Sequence, residues 1–361
     1  MKLFTVGPVS MYPEVNKVHM DQMVYFRTDE FSTLVKENIA TLAGLLDTDY
    51  PSGIIYLTAS GTAAMEAVIT NCLKKDDNAL VVNGGTFGRR FCELLQYHKI
   101  NYDSIDLEWN ETLTEAHLNQ KEGKKYSVFL VNLHETSTGQ LYDIELIKKF
   151  CQKNDILLVV DAISTFLADD FSMRKNGIDV AIISSQKGLC LSAGLAFVAM
   201  SERMTERCRS IEMHGDCYFR FIDYLANMER GQTPYTPAVS IMYELKAMLA
   251  LIESKGGKSA WLNEVWKKAQ YFREKAYMRG LIIPEYPLSC MLTPVVFTDV
   301  DARKIFIELK NKYSIYVNPC GGANEKRMFR VSHIGNTTLE DFDDLLDKIE
   351  LSISTIKCQE V

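Results

Sequence analysis

The sequence predicts an α/β protein, with a large domain on a mostly parallel sheet and a smaller α+β domain after it. Three observations carry that expectation. From Ser52 to about Ser201, short β-rich runs alternate with helical patterns, the alternation that produces an α/β sandwich. The β-rich runs are continuously apolar, so their strands are covered on both faces, as in a parallel sheet. The chain has 361 residues, enough for about two domains at roughly 150 residues each.

Residues 54–58 read as the first strand and 62–73 as the amphipathic helix that follows it. A second strand, 79–82, leads to helix 89–98, and a third, 127–131, leads through a turn to helix 144–153. Runs 156–160, 180–183 and 195–200 have the length and Val/Ile/Leu content of three further strands. A helical pattern over 239–254 links the two parts. The second region begins near Trp261. It offers a helical stretch to Arg279, strand 293–297, helix 302–312, strands 315–318 and 328–332, and a last helix over 339–356. On this reading residues 1–20 are an N-terminal segment. Residues 21–255 form the large domain with its linking helix, and 256–361 form the small C-terminal domain.

Hydrophobic residues at 47% and charged residues at 24% are the balance of a folded protein with a sizeable core. Forty Lys+Arg against 47 Asp+Glu leave a net charge of -7. With no basic block, this composition argues against general nucleic-acid binding. No apolar run approaches the ~18 residues of a membrane span, and the opening residues lack the apolar core of an export signal. The nine cysteines are scattered without a C-x-x-C pair, which predicts reduced thiols and a cytoplasmic protein. The six histidines make no ligand-spaced cluster with them, so no metal is expected.

In α/β sheets, ligands bind beyond the carboxyl ends of the strands, so the residues just after each run hold the candidate chemistry. Ser60-Gly61-Thr62 opens a helix directly after a strand. Its free N–H groups and hydroxyls suit a phosphate, or the serine simply caps the helix. Asp161 closes the most apolar strand. A carboxylate there needs a partner, either a protonated heterocycle nitrogen or a loop N–H or arginine. Lys187 follows a similar strand, between Gln186 and Gly188, where burial lowers an amine's pKa and makes it nucleophilic. No G-x-G-x-x-G occurs, and Gly256-Gly257-Lys258-Ser259 lacks the first P-loop glycine.

Taken in chain order, the phosphate cradle, Phe87, Asp161 and Ser185-Gln186-Lys187 resemble the class V aminotransferases, which are pyridoxal-phosphate enzymes of fold type I. Glu135-Thr136-Ser137-Thr138-Gly139, Gly194 to Val198, Thr233-Pro234-Tyr235-Thr236-Pro237 and Phe329-Arg330-Val331-Ser332-His333 extend the resemblance over nearly the whole chain. It is similar in particular to alanine–glyoxylate, serine–pyruvate and serine–glyoxylate transaminases. That implies an aspartate aminotransferase-like fold with a seven-stranded large sheet. It implies pyridoxal 5'-phosphate as cofactor, with Lys187 holding it covalently and then moving the substrate's Cα proton. Asp161 would pair with the ring N–H+. Phe87 and Ile163 would cover the two ring faces, and Thr136 would lie near the ring hydroxyl. Ser60, Gly61, Thr62 and Gln186 would hold the phosphate, completed by Thr236 of a second subunit in a homodimer. Arg330 would anchor the substrate carboxylate, with Gly7 letting backbone approach closely.

The implied reaction is a ping-pong transfer from a small amino acid of the alanine or serine type to glyoxylate or pyruvate. The alternative is 2-aminoethylphosphonate–pyruvate transamination, for which Arg27 would supply a second cation. A cysteine desulfurase would need Cys320 as nucleophile, and it usually has a histidine where Gln186 stands. A non-catalytic scaffold would have no use for Lys187 and Asp161 together. The segment 25–31 around Arg27 shows no helical periodicity and is assigned only to the neighbourhood of the entrance.

Overall fold

The computed structural model describes residues 1–211 and 217–359. Seven strands make the large sheet, in the order Ile54–Leu57, Ala196–Met200, Val180–Ser184, Leu157–Asp161, Val128–Asn132, Asn78–Asn83, Asn101–Asp106. Ala196–Met200 runs antiparallel to both neighbours, and the other pairs are parallel. The apolar runs are buried along their whole length in Ile54–Leu57, Val128–Asn132, Val180–Ser184 and Ala196–Met200. Continuous hydrophobicity therefore reported a two-sided cover, as expected. The strand that the apolar pattern does not reveal is Asn101–Asp106, whose polar sequence suits the sheet's half-exposed edge.

A second unpredicted element is the 18-residue helix Asp29–Leu46. Thr28 caps it, its hydroxyl accepting from the Phe31 N–H at 3.3 Å, and Asp29 and Glu30 lie in the first turn, where the helix dipole favours negative charge. Phe31, Leu34, Val35, Asn38, Leu42 and Leu45 are its buried face. The segment 25–31, read as lacking helical periodicity, thus contains a helix start, hidden because its aromatics precede the repeat.

The smaller sheet has the order Lys2–Phe4, Ile315–Pro319, Met328–Ser332, Leu292–Val296. Lys2–Phe4 lies parallel to Ile315–Val317, so the first strand of the chain is completed by residues more than three hundred positions away. Helix Gly257–Met278 serves both apolar cores: Trp261 and Val265 pack into the larger, Phe272 and Ala276 into the smaller with Phe4 and Phe342. Within the large sheet the registers Asn132↔Asp161 and Asp161↔Ile182 bring three strand ends level. That alignment gathers Glu135, Asp161 and Lys187, which leave those ends within a few residues.

Candidate active site

A cavity of about 790 Å³ opens beside these strand ends, with Gly7, Phe87, Thr136, Lys187 and Arg330 among its lining residues. Lys187 stands in the turn after Val180–Ser184. Burial lowers its amine to about 8; the Arg330 charge pushes the same way, while Asp161 opposes it. Gly7 presses its backbone against this lysine. A Cβ on Gly7 would lie 2.8 Å from the Gln186 carbonyl oxygen and 2.9 Å from Lys187 Cδ, at a φ of +150°, so only glycine allows the approach.

Asp161 ends strand Leu157–Asp161, and burial pushes its carboxyl up to about 7. Its Oδ1 accepts from the Ile163 N–H at 2.9 Å, while Oδ2 accepts from no described residue. Of the partners expected for this carboxylate, the loop N–H is the one present, and it takes one oxygen only.

Ser60 caps helix Gly61–Cys72, its Oγ accepting from Ala63 N at 3.3 Å. The N–H groups of Gly61 and Thr62 donate to no described residue, so the capping leaves the phosphate-type donors free. A Cβ on Gly61 would come within 2.5 Å of Ile163 Cδ1. This close packing sets the helix start against the turn that follows Asp161. Gln186 accepts through Oε1 from Ser184 Oγ at 2.5 Å. Ser60, Gly61, Thr62, Asp161, Ile163 and Gln186 are not among the residues that line the cavity. Thr236 is exposed on the single chain.

Arg330 sits in strand Met328–Ser332, paired across to Asn318 and Pro294. Its two terminal nitrogens donate to the Thr136 and Pro319 carbonyl oxygens, each at 2.7 Å, while the buried Nε has no partner among the described residues. Two backbone carbonyls thus aim the guanidinium, and N–H groups remain for a ligand.

Two residues emerge only in three dimensions. The first is Glu135, fully buried and named in a motif without a role. Its Oε2 accepts from the N–H groups of Phe87 and Gly88, both at 3.1 Å, and from Asn132 Nδ2 at 2.9 Å. Its Oε1 accepts from Ser137 N at 3.1 Å. One carboxylate therefore caps helix Thr86–Tyr97 and aims Phe87; the usual capping position here is Gly85, which has no side chain to do so. The second is Arg89, a cavity residue two positions after Phe87.

Arg27, expected near the entrance, does not line this cavity. Its guanidinium donates to Gln232 Oε1 at 3.0 Å and to the Thr233 and Pro234 carbonyls at 2.8 and 3.2 Å, which ties down the loop carrying Thr236. A second cation from Arg27 for a phosphonate is therefore not what the single chain offers. Cys320 does line the cavity, but burial raises its thiol, the opposite of an activated nucleophile.

The family model described as aminotransferase class-V matches residues 11–344. The chain belongs to the class V aminotransferases. It is 29% identical over 98% of its length to an uncharacterized aminotransferase of Methanocaldococcus jannaschii, covering 93% of that protein. It is 26% identical to the serine–glyoxylate aminotransferase of Arabidopsis thaliana, over 92% of this chain and 85% of the relative. Among solved structures, an alanine–glyoxylate aminotransferase from Nostoc sp. superposes with a TM-score of 0.90 at 26% identity, over 97% of this chain and 94% of that one. This class V aminotransferase thus has the fold type I architecture of pyridoxal-phosphate enzymes. Among its described residues no helix is long and apolar enough to cross a membrane.

Proposed function

We propose that this aminotransferase moves an amino group from a small amino acid, of the alanine or serine type, to glyoxylate or pyruvate by a ping-pong route. The observation that carries the reading is that Lys187 and Arg330 line one cavity, with Lys187 near enough to Asp161 for the carboxylate to act on its amine. The donor set fits pyridoxal 5'-phosphate. Asp161 Oδ2 awaits an N–H+, helix N–H groups await an anion, and a cavity-lining ring, Phe87, offers a stacking face. When bound, the cofactor supplies an electron-withdrawing ring that stabilises negative charge at the substrate Cα.

The chain's residues divide the remaining work. Asp161 keeps the ring nitrogen protonated through an N–H donated to Oδ2, an exchange that also relieves its buried charge. Ser60, Gly61, Thr62 and Gln186 hold the phosphate, with Thr236 from a second copy in a homodimer. Phe87 and Ile163 would cover the ring faces, and Thr136 would lie near the ring hydroxyl. Arg330 takes the substrate carboxylate in a two-pronged contact, which orients the Cα–H bond toward Lys187. Lys187, with a free-base fraction near neutral pH, removes that proton and returns it one atom away. A cytoplasmic location suits reduced cysteines and these small soluble substrates.

A visible absorbance band on the purified protein, lost in Lys187→Ala, is the expected signature. Steady-state kinetics should give parallel double-reciprocal lines. A wild type that binds no pyridoxal phosphate, or intersecting lines, would overturn the reading.

A further inference from the structure

Among the described residues, three cations, Arg89, Lys187 and Arg330, line the cavity, and no aspartate or glutamate does. This excess occurs in a chain of net charge -7, so it is local and opposed to the bulk field. Glu135, next in sequence to the lining residue Thr136, is already engaged. Glu135 spends its carboxylate on the N–H groups of Phe87, Gly88 and Ser137 and on Asn132. Asp161 is not among the lining residues. The guanidinium of Arg89 makes no ion pair or hydrogen bond with any described residue. Its neighbour Arg90 takes Glu93 instead, at 3.2 Å. Arg89 is exposed at the mouth, whereas Arg330 is buried and held by two carbonyls.

On the transaminase reading, Lys187 is committed to the cofactor and Arg330 to the α-carboxylate, and Arg89 is left over. We infer that Arg89 recognises a second anionic group, so that the preferred amino donors are small amino acids ending in a carboxylate, phosphate or phosphonate. The inference rests on the proposed transamination and replaces its alanine- or serine-type donor with one that carries a second anion. Arg330 fixes the α-carboxylate end, and the free fork of Arg89, on the same cavity, takes the distal anion in charge-assisted hydrogen bonds. Trp109, also in the lining, would cover the methylenes between. Such a pair discriminates strongly against donors lacking the second anion, since a charge-assisted contact is worth about ten- to a hundredfold in affinity.

The test uses the cofactor-loaded protein. The rate at which the cofactor band disappears is measured with aspartate, O-phosphoserine and alanine, in wild type and in Arg89→Gln and Arg89→Lys. Titration calorimetry compares succinate with butyrate as non-reacting probes. Expected are a wild-type preference for a two-anion donor over alanine of roughly tenfold or more, its collapse in Arg89→Gln and its partial return in Arg89→Lys. Succinate should bind wild type more tightly than butyrate, and Arg89→Gln should bind the two alike. The aspartate and phosphoserine arms tell whether the distal group is a carboxylate or a phosphate. Alanine matching both in wild type, or a preference that survives Arg89→Gln, would reduce Arg89 to a solvent-facing arginine and overturn the inference. If no amino acid alters the band at all, the transaminase reading itself fails, a separate outcome.

Discussion

The carboxylate of Glu135 receives the backbone N–H groups of Phe87 and Gly88, both at 3.1 Å, joining the short strand His134–Glu135 to the start of helix Thr86–Tyr97. Because Asn132 and Ser137 donate to the same carboxylate, its loss orphans several buried donors together. Glu135→Ala should destabilise the protein by about 2–4 kcal/mol, read by urea unfolding. It should also weaken cofactor binding, read by titration of the visible band, because Phe87 loses its fixed placement. Equal stability in the variant would show that helix Thr86–Tyr97 holds itself.

Asp161 bears on the pH dependence of the cofactor-free protein. Its carboxyl is raised to about 7 in the folded state from an unfolded value of about 3.9. The stability it contributes is therefore complete below the unfolded value and is lost as pH rises through the folded one. Asp161→Asn carries no such charge. The variant without cofactor should gain on wild type between pH 4 and 7 and keep that gain above, measured by urea unfolding at pH 5 and pH 8. The same substitution should weaken cofactor binding, since the ring N–H loses its anionic acceptor.

Lys187 is shifted the other way, to about 8 by burial. Only the free amine attacks an aldehyde. The rate of reconstitution of the cofactor-free protein with pyridoxal phosphate should therefore rise with pH and level off above about 8. Followed by stopped-flow absorbance, a plateau only near the ordinary lysine value of about 10.4 would show that the amine is not desolvated. Lys187→Ala should lower transamination by roughly 10³-fold or more.

Gly7 carries a φ of +150° and abuts the Gln186 carbonyl and the Lys187 stem. Gly7→Ala should cost about 1–3 kcal/mol in strain and displace the lysine. A displacement near 1 Å costs catalysis about 10²-fold, so kcat should fall far more than cofactor occupancy does. A fall in occupancy alone, with kcat retained per bound cofactor, would argue that the lysine is unmoved.

Much of the molecule is legible from the chain itself. Helices Ile144–Lys153 and Val239–Ser254 and strand Met328–Ser332 follow from patterns that depend on neighbours in sequence, and strand Val180–Ser184 is longer by one residue. Local burial imposes those patterns on each segment independently. The edge strand Asn101–Asp106 and the first strand Lys2–Phe4 escape because their stability lies in pairing with distant partners, the former being mostly polar and the latter only three residues long.

The candidate site divides along the same line. Its chemical types at the strand ends, with Lys187, Asp161 and Ser60-Gly61-Thr62, are written in the sequence, because a parallel sheet delivers its strand ends to one crevice; Arg330 comes from inside a strand of the smaller sheet. Only the tertiary structure decides how those groups are tuned and aimed. The pKa shifts of Asp161 and Lys187 arise from burial by other segments. The setting of Phe87 comes from Glu135, forty-eight positions away, and Arg27 is turned to the Thr236 loop while Arg89 lines the cavity. Spacing along a chain says which groups can meet; desolvation and hydrogen-bond direction, which depend on every neighbour at once, say what they do when they have met.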